Sequence, residues 1–204
     1  MDPAREEDMN ERYFGDYLEA SDSIKEYMDM NFSSSTLNIN DLWESSALSA
    51  KFLSSFWGKF FPLSDKEHRE SRRVMEDSVR FIAAELLGNA VKFGYGKEFD
   101  IRINLHMEQN ELRFYVTNTV DPAAIDGFQA FILRLLTEDL NELYLAQMEK
   151  NAEAGSTESR MGYLTMILDY DANLSWKFQK AGGADIVTTA ARLPVVRQIK
   201  QEGD

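Results

Sequence analysis

Three residues stand at spacings that can do chemistry together. Glu85, Asn89 and Lys92 lie within the stretch from Val79 to Gly94, at positions i, i+4 and i+7. On a helix these offsets fall on nearly one face. A carboxylate and a carboxamide one turn apart can orient a water and hold a hard cation through oxygen. A lysine one turn further on can meet a phosphate. Other chemistries are excluded by composition. The chain has no Cys, so thiol catalysis, disulfides and cysteine-ligated metal centres are ruled out. Its two histidines, His68 and His106, are too far apart for a His-rich metal site. His68 stands in a charged helix start and reads as exposed; His106 reads as lying on the polar face of a strand.

The elements around these residues follow from hydrophobic period. Residues 4–30 read as an acidic helix carrying Tyr13, Tyr17, Ile24, Tyr27 and Met28. Residues 36–39 are a short strand candidate, and Asn40 or Asp41 can cap a helix over 42–61 that Pro62 ends. Ser64 or Asp65, with Glu67, then opens a long helix to about Phe93, stopped by Gly94 and Gly96. Its apolar stripe is Val74, Val79, Ile82, Ala83, Leu86, Leu87, Ala90 and Val91. Alternation over 99–107 and again at Leu112, Phe114 and Val116 predicts a hairpin. Residues 123–152 read as one long helix and 161–168 as a short one. Residues 174–178 and 186–193 read as strands joined at 181–183. Hairpins with helices grouped between them point to an α+β two-layer sandwich, not a parallel nucleotide-binding sheet.

The Glu85–Asn89–Ala90–Lys92 pattern resembles the N-box of the GHKL ATPase superfamily. That superfamily includes histidine-kinase ATPase domains, gyrase-type and chaperone ATPases, and anti-sigma serine kinases. The resemblance spans residues 35–195 and implies the GHKL (Bergerat) two-layer α/β sandwich with an extra N-terminal helix. It divides the chain into an acidic helical extension at 1–34, the domain at 35–195 and a polar tail at 196–204. The block at 48–62 also resembles a subgroup of GHKL-like regulators well represented in cyanobacteria. By resemblance, Glu85 is the general base, Asn89 binds magnesium, and Lys92 lies near the phosphates of ATP.

The family's next motif is Asp-x-Gly-x-Gly, in which the Asp meets the adenine amino group. Here Asn118 holds the Asp position, with Asp121 its substitute if the register is shifted. Val120 and Pro122 replace the glycines. In the second glycine motif Gly162 remains, followed by Tyr163 and Leu164, while Arg160 replaces an earlier glycine and can meet a phosphate or fill the site. Two functions follow from the resemblance. One is a regulator that binds ATP–Mg²⁺ and controls a partner by serine/threonine phosphorylation or sequestration. The other is a degenerate relative that acts only as a protein–protein switch. The implied partner is an anti-sigma-antagonist-like domain or a sigma factor.

Charge bears on partners as well. The net charge of −13 argues against non-specific nucleic-acid or anionic-membrane binding. Residues 1–31 carry ten acids and three bases, and residues 121–158 carry eight acids and two bases. These segments hold the whole excess and are the expected places for a basic partner surface. The aromatic stripe from Trp43 to Phe61 suits a homodimer or partner face. No stretch reads as a signal or membrane span, so a cytoplasmic location is expected.

Overall fold

The structure is a computed structural model that describes residues 11–20, 26–60, 66–96, 99–108, 111–154 and 161–195. Its strands are β1 (Arg12–Phe14), β2 (Tyr27–Ser33), β3 (Asp100–Glu108), β4 (Glu111–Thr119), β5 (Asn173–Ala181) and β6 (Ala184–Pro194). Its helices are α1 (Ile39–Trp57), α2 (Lys66–Phe93), α3 (Ile125–Thr137), α4 (Leu140–Ala154) and α5 (Met161–Leu168). The strands form one six-stranded antiparallel sheet in the order β1-β5-β6-β4-β3-β2. The fold is therefore α+β, with the helices grouped between hairpins.

Register decides which residues meet the helices. Ile103, Val116, Thr189 and Trp176 align across β3, β4, β6 and β5, and Ile101, Asn118, Val187 and Phe178 align in the next inward row. Both rows are buried. Helix α2 packs on β3 and β4, α5 on α2 and β5, and α1 on α2. The apolar stripe of α2 is buried from Val79 through Leu86 and Leu87 to Val91, but Val74, one end of the predicted stripe, is exposed. Among the described residues no helix is long and apolar enough to cross a membrane.

The N-terminal segment departs from expectation. Residues 11–14 and 27–33 are not helical: β1 and β2 are the two edges of the sheet. Met28, Met30 and Phe32 are half-buried and alternate with the exposed Tyr27, Asp29 and Asn31, a period of two. The open edge of β3 supplies the backbone partners that settle this segment as a strand. Residues 15–20 and 26 are not helical either, and residues 4–10 and 21–25 of the predicted helix lie outside the described residues. Residues 36–39 form no strand, because Thr36 and Leu37 turn back onto the Ser33 carbonyl. Helix α1 is capped instead by Asn38, whose Oδ1 accepts from the Asn40 and Asp41 amides at 3.0 and 3.1 Å.

The long helix expected over 123–152 is broken. A 3-10 turn at Pro122–Ala124 leads into α3, and extended backbone at Glu138 ends it. Asp139 then caps α4 by accepting from the Asn141 and Glu142 amides at 2.9 and 3.0 Å. His106 stands on β3 as read, but it is buried. It points to the face away from the helices and is only 5% exposed, covered by Tyr27 and Tyr115. The expected caps at Ser64 and Asp65, and Pro62, lie outside the described residues.

Candidate functional site

Helix α2 crosses the inward face of β4, and this crossing creates a cavity of about 310 Å³. Asn89 and Lys92 reach it from α2, Asn118 from β4, and Asp121 from the turn that follows. Four of the residues singled out by pattern thus line one cavity. Its walls are otherwise mostly apolar, including Leu86, Val116, Val120, Phe128 and Val187. Such a lining, with a few convergent polar groups, suits a small molecule with a flat apolar part.

Each polar group has a distinct local role. Asn118 is buried, and its Nδ2 donates to the Thr119 carbonyl at 2.7 Å. That bond fixes the carboxamide and leaves Oδ1 as the acceptor it can offer a ligand. Asp121 accepts from the Ala123 amide at 2.9 Å, capping the 3-10 turn. Asp121 stands on the turn beyond β4, while Asn118 keeps its place in the ladder opposite Ile101 and Val187. Lys92 is exposed at the last turn of α2, with Nζ 5.2 Å from the centre of the Phe93 ring.

Glu85 and Gly162 meet beside the cavity. A methyl group added at Gly162 would overlap the Glu85 carboxylate. The second residue of α5 is therefore a glycine because α2 presses a carboxylate against it. Glu85 is half-buried, and burial holds its carboxyl above the ordinary carboxylate range. A carboxyl shifted in that direction is better suited to take up a proton near neutral pH. Arg160 lies outside the described residues.

Several lining residues were not singled out by sequence. Tyr163 follows Gly162 and is buried between α5 and the sheet. Burial pushes its phenol up to about 12, against the opposing effect of Thr189, Trp176 and Asn89. Its ring faces Phe128 with centroids 6.1 Å apart, so α3 and α5 close the cavity with aromatic rings. Thr189 could have been found from β6 alternation, since its row partners are Val116 and Trp176. Phe128 carried no such signal, because its approach depends on the turn at Pro122–Ala124.

Among the described residues no group of three or more His, Asp or Glu side chains could hold a metal ion. A magnesium ion here would take most of its shell from phosphate and water, with Asn89 as a protein ligand. No protein-family model matches the chain. A search of curated proteins likewise finds no match.

Proposed function

We propose that this chain is a regulator of the GHKL ATPase type, binding an adenine nucleotide with Mg²⁺ in the cavity between α2 and β4. The observation that carries this reading is the convergence of Asn89 and Asn118 on one largely apolar cavity, from two elements far apart in sequence. The base would lie among Val116, Val120 and Val187 with Asn118 as acceptor. Asn89 would hold the cation, and Lys92 would face the phosphates at the mouth. The nucleotide supplies a transferable phosphoryl group. Glu85, its carboxyl shifted upward by burial, would take the proton from a serine or threonine hydroxyl of the partner. The partner would be a signalling protein of the anti-sigma-antagonist or sigma-factor kind.

A second reading keeps the fold and drops the chemistry. It is favoured by Tyr163, a large ring beside Asn89, and by Glu85, which is packed against Gly162 rather than lining the cavity. Calorimetric titration with ATP and Mg²⁺ separates the two. Saturable binding that Asn89→Ala abolishes supports the nucleotide reading; flat heats at high protein concentration leave the interaction switch. A Glu85→Ala protein that still transfers phosphate at the unaltered rate would remove Glu85 as the base.

A further inference from the structure

The face of the sheet turned away from the helices carries a second cavity, of about 610 Å³. It owes its depth to the chain that leaves β1. Residues 15–20 lie on this face: the Tyr115 hydroxyl donates to the Leu18 carbonyl at 2.9 Å, and the Tyr17 and Tyr115 rings meet edge to face. Beneath them the floor is built from β3, β4, β5 and β6. Thr117 and Thr188 share a hydrogen bond of 2.9 Å, and Asn104 and His106 stand beside them.

Both cations on this cavity are already held by carboxylates. Arg102 is held by both carboxylate oxygens of Asp29, and the Lys177 ammonium lies 2.8 Å from both Glu19 and Glu11. The two lining cations and two lining carboxylates cancel. A ligand with net charge would leave water without an unpaired counter-ion among the described lining residues. The rings argue against a flat heterocycle. Tyr17 and Tyr115 are inclined at 74°, Tyr27 and His106 at 65°, and His106 and Tyr115 at 56°. None of these pairs forms a parallel-walled slot.

What the cavity offers is a dense set of fixed donors and acceptors. They are a guanidinium, carboxylates, the carboxamides of Asn104 and Gln179, and threonine hydroxyls. A ligand hydroxyl both donates and accepts, so neighbouring hydroxyls satisfy such a mixed set. The carbon face of a saturated ring can lie on a tyrosine. Two floor atoms, Asn104 Oδ1 and His106 Nδ1, are buried without a hydrogen-bond partner, so a small turn of either side chain would bring an unsatisfied polar atom to a ligand hydroxyl.

We propose that this outer-face cavity binds a neutral polyhydroxylated small molecule, a sugar or cyclic polyol. The test is a set of ¹H–¹⁵N spectra of the full chain titrated separately with glucose, myo-inositol, adenine and glycine. Saturable shifts with glucose or myo-inositol, in about the millimolar range, should concentrate at Asn104, His106, Thr117, Lys177 and Gln179. Which of the two saturates separates a sugar from a cyclic polyol. Thr117→Val keeps the volume and removes the hydroxyl, and Gln179→Ala removes a carboxamide; each should weaken binding by about tenfold. The proposal is overturned if neither polyol gives saturable shifts, if the shifts fall on the α2 side of the sheet, or if adenine or glycine saturates this face instead. The mapping on the unaltered chain decides even if a variant fails to fold.

Discussion

Glu85 and Gly162 depend on each other. A side chain at Gly162 must displace the Glu85 carboxylate, so Gly162→Ala should destabilise by about 1–3 kcal/mol in urea unfolding. Removing the obstacle as well, in Glu85→Ala with Gly162→Ala, should cost less than the two single changes summed. Strict additivity would show that the two residues do not press on each other. The same carboxylate has a pH signature. Its folded value is raised above the ordinary 4.5, so the native state binds this proton more tightly than the unfolded chain does. Its contribution to stability therefore falls as pH rises from about 4.5 through the raised native value. Glu85→Gln should remove that decline and gain relative stability towards neutral pH. Parallel stability–pH curves for the two proteins would contradict the burial argument.

Elements differ in how well pattern alone foretold them. Helix α2 carries a long stripe of one period, and both hairpins alternate cleanly, so their residues pointed where the structure places them. Spacing on one helix face singles out Asn89, whereas Asn118 is named only through the motif resemblance; alternation shows that it stands on a strand. The edge strands β1 and β2 could not be found this way. β1 has three residues, and β2 alternates over seven within an acidic stretch whose tyrosines also fit a helical spacing. What makes them strands is the edge of a partner far along the chain. The break between α3 and α4 was hidden for another reason: apolar residues continue on both sides, and only the Asp139 cap marks the new start. Asp139→Ala should cost about 1 kcal/mol, read as a lowered urea midpoint. Gly15 sits at φ +69°, where the chain leaves β1, and a Cβ there would stand 2.8 Å from the Leu174 carbonyl. Gly15→Ala should therefore weaken the pairing of β1 with β5. Faster amide exchange in β1 than in β6 would reveal it; unchanged protection would refute it.

At the scale of the whole molecule, the acidic excess is partly spent inside the fold. Glu11 and Glu19 both reach Lys177, and Asp29 holds Arg102, so acids of the first segment neutralise cations of the outer face. Arg72 and Arg80 pair within α2, with Glu76 and Asp77. β1 and β2 stand five strand spacings apart, about 24 Å, and the twelve residues between them can reach about 40 Å extended. One segment thus covers both edges of the central four strands. A chain starting at residue 35 would bare the edges of β5 and β3 together and uncover Tyr115, Ser175 and Ala190. It should self-associate in light scattering, whereas a monodisperse monomer would show that the segment is dispensable.

Thr117 and Asn118 are consecutive on β4, yet one lines the outer cavity and the other the inner. A strand alternates strictly, so one inserted residue before them would turn the carboxamide outward and a different side chain inward. Changes of length in the β3–β4 turn can be absorbed only while this phase is kept. The two cavities thus share a single mutational constraint: neither can be remodelled by insertion within β4 without rewriting the other, whereas substitutions at alternate positions can tune each side independently.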